Sequence, residues 1–521
     1  MKNFLTRYSL TYVRSLVYML QASEYHVGDF LDWFWRTRDF LHVEERKALV
    51  KTPKAVAFLC VGYSALTVVY VFVFWLLSTT TTVCGYLVSF LAIVGIPFVL
   101  TYILAVFTVA VRFVQWPVER SIVASAKKKL KEHKGLKIAI AGSYGKTSMR
   151  EILKTVLGKG KRVSAPPGSY NTPQGIAKFV KGLQGDEEVL IFELGEYYPG
   201  DIRKLCDFVQ PDMGVITGVN EAHLEKFKDI SRTQKTIFEL ADYLASVIPA
   251  EAGIQKGLLY INGENALAKE YVTTLIPPFL KEVPDRAEDL NPSARKFATP
   301  FMKERINFYT RAGAGKWKVE NAKTSLEGTT FTLADGTQKI SAHSHLLGLH
   351  QVGPLAAVAD IATGLGLTPL QIEQGISETK PFEHRLEPKT DAHGVITLDD
   401  SYNGNPDGVR AVIDFLASLK GIGLSAEGRR FYVTPGLVEM GVKTEEAHKE
   451  IGRQLASAGI EKVVLIRNSV TPFIEKGLQE GKYEGEIIWF AKALEAFSAL
   501  PNLTVKGDVV LLQNDWPDQY A

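Results

Sequence analysis

Between Lys54 and Arg112 the chain carries no Asp, Glu, Lys or Arg. A soluble core seldom supplies an uncharged stretch of that length, so an ordinary globular start is excluded. The stretch splits into two apolar halves, residues 55–77 and 83–111, around Ser78-Thr79-Thr80-Thr81-Thr82. Each half exceeds the ~20 apolar residues that a helix needs to cross a bilayer core, which predicts a transmembrane hairpin over 55–111. Cysteine is scarce as well. Cys60, Cys84 and Cys206 are too few and too far apart for a disulfide framework or a zinc cluster. Charge of one sign is not in excess: 60 basic against 57 acidic residues leave a formal net charge of +3, which gives no reason for a nucleic-acid partner. No internal repeat or long low-complexity segment is present, which excludes a solenoid.

What basic residues there are gather on both sides of the hairpin. Arg36, Arg38, Arg46, Lys47, Lys51 and Lys54 precede it, and Arg112, Arg120, Lys127, Lys128, Lys129 and Lys131 follow it, whereas the turn has none. By the positive-inside rule both ends face the cytoplasm, so the expected topology is a two-helix membrane protein with everything after residue 112 on the cytoplasmic side. Residues 1–54, with Phe4, Leu5, Tyr8, Phe30, Trp33, Phe34 and Trp35, read as interfacial helices. Residues 112–135 read as a basic linker, helical from about 117. A length of 521 residues leaves room for two further domains.

From Leu136 the pattern changes. Apolar runs at 136–141, 188–194, 213–219 and 258–262 suit buried parallel strands, and stretches of helical spacing such as 150–157 and 233–245 lie between them. This alternation predicts an α/β domain over 136–382. Within it, residues 306–343 read as a small β insertion of short alternating strands. A second α/β unit is expected over 383–521, with strands near 395–398, 430–433, 462–466 and 508–512. Nothing in the pattern sets an oligomeric state.

The first strand runs into Gly142-Ser143-Tyr144-Gly145-Lys146-Thr147-Ser148 and then into a helical stretch, the context a phosphate-binding loop requires. Glycines let backbone N–H groups face phosphates, Lys146 can neutralise β/γ oxygens, and the Thr147 hydroxyl can ligate magnesium. Glu193 ends an apolar strand, where ligands of open α/β sheets collect, and offers the hard oxygens that magnesium prefers. Taken alone, a Glu in that position is more often a solvated loop residue. His223 follows the 213–219 strand and projects from the same sheet edge, although a lone His is more often structural than a ligand.

The compressed loop is followed in order by Asn171-Thr172-Pro173-Gln174-Gly175-Ile176, by Glu193-Leu194-Gly195-Glu196 through Asp201-Ile202, and by Asn220-Glu221-Ala222-His223. Asp399-Asp400-Ser401-Tyr402-Asn403-Gly404-Asn405-Pro406 comes later, after a strand. Together these motifs resemble the Mur ligases over about residues 136–510, and in particular the branch that adds D-alanyl-D-alanine to a muramoyl tripeptide. The resemblance implies a P-loop central domain and a Rossmann-like C-terminal domain. It also implies an ATP-dependent, Mg2+-requiring ligase that joins a carboxylate to an amine in cell-wall precursor synthesis.

For individual residues the resemblance implies that Gly142–Ser148, Gln351, Arg385 and Asp400 contact ATP. Thr147, Glu193 and His223 would hold metal, and Lys235 would bridge it if carbamylated, an ordinary surface lysine being the alternative. Catalysis would fall to Lys146, His223, Lys235 and Arg385, and substrate contacts to Asn171, Thr172, Asn403 and Asn405. The chain departs from the family in three places. Residues 1–135 offer no UDP-sugar domain, Gln351 and Pro354 stand at two usual asparagines, and Gln513-Asn514-Asp515 stands where Lys-Gly-Ser is common. The donor carboxylate is therefore open between a soluble and a lipid-linked molecule, and the acceptor between an amino acid and a dipeptide. A ligase for a folate-type carboxylate and a membrane-anchored nucleotide-binding scaffold without turnover are the other readings.

Overall fold

The computed structural model describes residues 6–8, 11–23, 25–37, 40, 49–79, 81–168, 170–221, 227, 229–247, 257–275, 305–402, 404–420, 428–438 and 440–514. The chain divides into two compact units, one ending at Ser121 and one running from Ile122 to Asp515.

In the first unit the uncharged stretch forms helix Pro53–Thr79 and the start of helix Val83–Glu132, both long and apolar enough to cross a membrane. The second helix does not stop at residue 111. It continues without a break through the expected linker, carrying Pro97 and Pro117 inside it. The change from apolar to basic residues at 112 alters what the helix faces but not its backbone preference, since Lys, Arg, Glu and Ala are all good helix formers. The segment before the hairpin also differs from expectation. Helix Tyr12–Ala22 buries seven residues, among them Val13, Leu16, Val17 and Leu20, in one core with Phe58, Ile96, Leu100 and Leu104 of the hairpin. Gly62 makes room for it, because a Cβ there would lie 2.5 Å from Val13 Cγ1. The Tyr12 hydroxyl meets Thr101 Oγ1 at 3.0 Å and donates to Pro97 O at 3.1 Å. An interfacial helix would keep its apolar face for lipid; this one spends it on the hairpin.

The second unit opens with strand β1 (Leu136–Ala141), followed by β2 (Val163–Ser164), β3 (Val189–Glu193), β4 (Met213–Ile216), β5 (Leu259–Asn262) and β6 (Ile306–Thr310). All six are parallel. The antiparallel strands β7 (Gly313–Ala314), β8 (Trp317–Ser325), β9 (Gly328–Ala334) and β10 (Lys339–Ser344) continue the same sheet, giving ten strands in the order 10-9-8-7-6-5-4-1-3-2. Residues 306–343 are thus an extension of the central sheet rather than an insertion. β1 is buried on both faces, and its alternation serves two cores. Ile138 and Ile140 join Met149, Leu153, Leu355 and Ile372, while Ala139 and Ala141 join Ile176, Leu205, Leu240 and Ala241.

A six-stranded sheet follows, ordered 11-12-16-13-14-15, from β11 (Glu387–Thr390), β12 (Ile396–Asp400), β13 (Arg430–Thr434), β14 (Lys462–Ile466), β15 (Glu486–Phe490) and β16 (Val509–Gln513). Only β11 is antiparallel to its neighbour. β16 returns between β12 and β13, so the carboxyl ends of these three strands open at a switch in strand order, where open α/β sheets place ligands.

Candidate active site

Two glycines shape the loop between β1 and helix Lys146–Leu157. Gly142 has φ +145° and Gly145, at the helix N-cap, has φ +73°. A Cβ on Gly142 would stand 2.2 Å from Thr217 Oγ1. The loop is tied to the end of β4: Ser143 N donates to Gly218 O at 2.9 Å, and the Thr217 hydroxyl donates to Tyr144 O. The Tyr144 ring packs over Gly218, and its hydroxyl accepts from Asn265 Nδ2 at 3.3 Å. The first helical amides therefore point out of a braced turn, an arrangement suited to phosphate oxygens.

Glu193 closes β3 beside this loop, and its Oε2 accepts from the Thr147 hydroxyl at 3.1 Å. Its other oxygen, Oε1, lies 2.8 Å from Arg150 Nη1 yet accepts no hydrogen bond. Arg150 donates instead to Gly168 O and to Glu151 Oε1. Burial pushes the Glu193 carboxyl up, against the pull of Arg150, Lys146 and Thr147. A buried carboxylate oxygen without a donor, next to a hydroxyl, fits a hard divalent cation. Among the described residues no three His, Cys, Asp or Glu side chains gather around one point.

Lys146 is engaged by a residue to which sequence reasoning assigned no role. Its Nζ donates to Glu196 Oε1 and Oε2 at 2.8 and 2.9 Å and also to Gly142 O. The position of Glu196 three residues beyond Glu193 was the available signal.

The C-terminal sheet supplies the facing groups. Arg385 lies in a turn whose flanking residues, His384 and Leu386, have φ of +63° and +46°, the kind of local strain that clusters at functional sites. Its guanidinium sits 5.1 Å from the Tyr402 ring centroid. Burial lowers its basicity, and Asp400, Tyr402 and Glu193 oppose that. Asp400, at the end of β12, is pushed up to about 7 by burial despite Arg385. Neighbouring Asp399 accepts from the Ser401 hydroxyl at 2.7 Å and pairs with His384 Nδ1 at 2.9 Å.

Other expected site residues have structural duties. Asn405 Oδ1 caps helix Pro406–Ser418 through Gly408 N at 3.0 Å and accepts from Asn220 Nδ2 at 2.8 Å, so the oxygen expected to line a substrate joins the two sheets' loops. Thr172 caps helix Pro173–Lys181 through Gly175 N at 3.3 Å. Asn171 lies against Gly195, and its backbone carbonyl accepts that residue's N–H at 3.0 Å. Gln351 meets His350 Nε2 at 2.9 Å in a short 3-10 turn. Ser148 is half-buried in the first turn after the loop. Lys235 is exposed on helix Ile230–Val247. His223 and Asn403 lie outside the described residues.

Residues 140–259 match the Mur ligase middle domain, and residues 384–513 match the Mur ligase glutamate ligase domain. The UDP-N-acetylmuramoyl-tripeptide–D-alanyl-D-alanine ligase of Bacillus subtilis is 25% identical over 381 residues, covering 72% of each chain. The enzyme of that name from Escherichia coli is 23% identical over 329 residues, covering 63% of this chain and 64% of the relative. Among solved structures, MurF from Acinetobacter baumannii superimposes with a TM-score of 0.60 at 19% identity, covering 76% of this chain and 77% of its own. MurF ligase from Thermotoga maritima in complex with ADP gives a TM-score of 0.58 at 21% identity, covering 76% and 80%. The two likenesses show a shared fold.

Proposed function

We propose, from the premise that this chain carries the Mur ligase middle and glutamate ligase domains, that it joins a carboxylate to an amine at the expense of ATP in building a cell-wall peptide precursor. It is an ATP-dependent ligase. The observation that carries this reading is the joining of two sets of groups, the glycine-lysine loop with Thr147 and Glu193 from one sheet and Arg385 with Asp400 from the other, across the 2.8 Å bond from Asn220 Nδ2 to Asn405 Oδ1. A carboxylate oxygen is a poor leaving group in water, so one substrate oxygen attacks the γ-phosphorus and ADP departs, leaving an acyl phosphate. The amine nitrogen then attacks the acyl carbon, inorganic phosphate leaves with its electron pair, and the nitrogen loses a proton.

The loop amides and Lys146 hold the β/γ oxygens, and Arg385 meets the negative charge that builds as the phosphoryl group moves. Thr147 and Glu193 would hold Mg2+, which when bound neutralises the crowded phosphate oxygens. Lys235, exposed and within reach of carbon dioxide, is the residue proposed to become an anionic carbamate.

The hairpin is proposed to anchor the enzyme and to bring it to a lipid-linked donor. A helix pair exposing Val68, Val71, Phe74, Trp75, Phe90 and Val106 is costly to leave in water. Tethering raises the effective concentration of a membrane-bound substrate without a new contact. Lys127, Lys128 and Lys131 are exposed beyond the apolar run and suit an anionic lipid surface. Lys129, in the same basic run, instead donates to Lys181 O and Leu183 O at 3.2 and 2.7 Å.

The test is ADP release by the full-length chain in lipid vesicles, with soluble and lipid-linked forms of a muramoyl tripeptide paired with D-alanyl-D-alanine or single amino acids. Turnover that needs both a carboxylate and an amine is expected, with a gain for the lipid-linked donor. ATP hydrolysis indifferent to both partners would overturn the ligase reading, and equal rates with both donor forms would overturn the membrane-donor reading.

A further inference from the structure

Lys146 and Glu196 form an ion pair in which both carboxylate oxygens lie 2.8–2.9 Å from Nζ and the two side chains are 14% and 3% exposed. Glu193 feels the same lysine. Arg150, on the helix that follows the loop, is shared between Glu151 and Glu193. Two buried carboxylates, Glu193 and Glu196, therefore offset Lys146 and Arg150, and the floor of the loop has no net positive charge to offer. A phosphate loop usually attracts a polyphosphate through its amides and its lysine together. Here the lysine is already neutralised, and a bare polyphosphate would also have to settle beside a Glu193 oxygen that no hydrogen bond satisfies. A divalent cation carried by the phosphates removes both penalties, because it cancels negative charge and gives that oxygen, now held only by the Arg150 ion pair, a direct ligand.

We propose that Glu196 is a positioning residue that makes nucleotide binding conditional on the divalent cation: it holds Lys146 until a metal-bound polyphosphate takes its place. The proposal rests on the nucleotide-site reading above and adds a residue that acts through Lys146. Its physical content is a coupling between two ligands, so it appears in binding rather than in turnover.

The experiment measures ATP dissociation constants by titration calorimetry on the full-length chain in detergent, with Mg2+ and with excess EDTA. Glu196→Gln keeps the side chain's shape and removes its charge. It is expected to tighten metal-free ATP binding about tenfold or more while changing MgATP binding less than about threefold, so that the ratio of the two constants collapses. Glu196→Asp, which keeps the charge but draws it away from Nζ, should give a ratio between those of the wild type and the Gln variant. Ratios unchanged from wild type in both variants would overturn the proposal while leaving the nucleotide site intact. A wild-type chain that binds no ATP even with Mg2+ would overturn the nucleotide-site reading and the proposal with it.

Discussion

Lys235 and Asp400 show how far a residue's surroundings decide its chemistry. Lys235 is exposed, so its amine is open to carbon dioxide, and a carbamate there would convert a cation into an anion. Lys235→Ala is expected to lower turnover by a factor of about a hundred, with partial rescue by added short carboxylates. Full activity without rescue would make it an ordinary surface lysine. Asp400 poses a question of pH. Its carboxyl moves from 3.8 to about 7 on folding, chiefly through burial. Between those values the folded chain keeps a proton that the unfolded chain has released, so this group's contribution to stability is complete below pH 3.8 and is lost as pH rises through about 7. Asp400→Asn should therefore match the wild type in urea at low pH and exceed it above neutrality. A constant difference at every pH would show that the group does not titrate in that window.

Strand β13 depends on one buried side chain. The Arg430 guanidinium, 1% exposed, donates to Glu461 Oε2 and Oε1 at 2.9 and 2.7 Å, to Leu416 O and Ala417 O at 3.4 and 3.2 Å, and to Gly459 O. It thereby satisfies carbonyls at the end of helix Pro406–Ser418 and after helix Thr444–Ser457, holding both to the amino end of an interior strand. Arg430→Ala leaves those carbonyls and Glu461 without a donor, and about 2–4 kcal/mol of stability should be lost in urea unfolding. Arg430→Lys should recover only part of it, because an ammonium cannot reproduce the planar fork. Equal stability of the Ala variant and the wild type would mean that water satisfies these groups.

The division of the chain at Ser121 leads to a prediction about truncation. The last turns of helix Val83–Glu132 belong to the catalytic unit: Ala126 and Leu130 lie in its core, and Lys129 holds two carbonyls. His133 pairs with Glu187 at 3.0 Å, which with the Gln184 and Gly185 amides holds that carboxyl down to about 2. A chain beginning at Ile122 should be soluble and bind ATP. One beginning at Leu136 exposes the surface that Leu130 covered and should lose about 2–4 kcal/mol, with aggregation as the visible sign. Indistinguishable melting of the two would show that the helix end contributes nothing to the fold.

The two long apolar helices, the parallel strands around β1 and the glycine turn leading into helix Lys146–Leu157 were legible because each is written in contiguous residues: an absence of charge, an apolar run, a glycine–lysine–threonine turn. The place of Glu193 beside the loop was legible because parallel strands deliver their carboxyl-terminal residues to one edge. The burial of helix Tyr12–Ala22 against the hairpin was not, since an amphipathic pattern does not say whether lipid or protein will cover it. Nor was the run of one helix through residues 112–132, because a change in polarity resembles a boundary although helix propensity is indifferent to it. The engagement of Lys146 by Glu196, 50 residues on, and of Asn220 by Asn405, 185 residues on, depends on sheet order and loop closure. Local pattern specifies which groups a chain owns. Which two of them share a buried space depends on how the strands are ordered, and that follows from the packing of all of them at once.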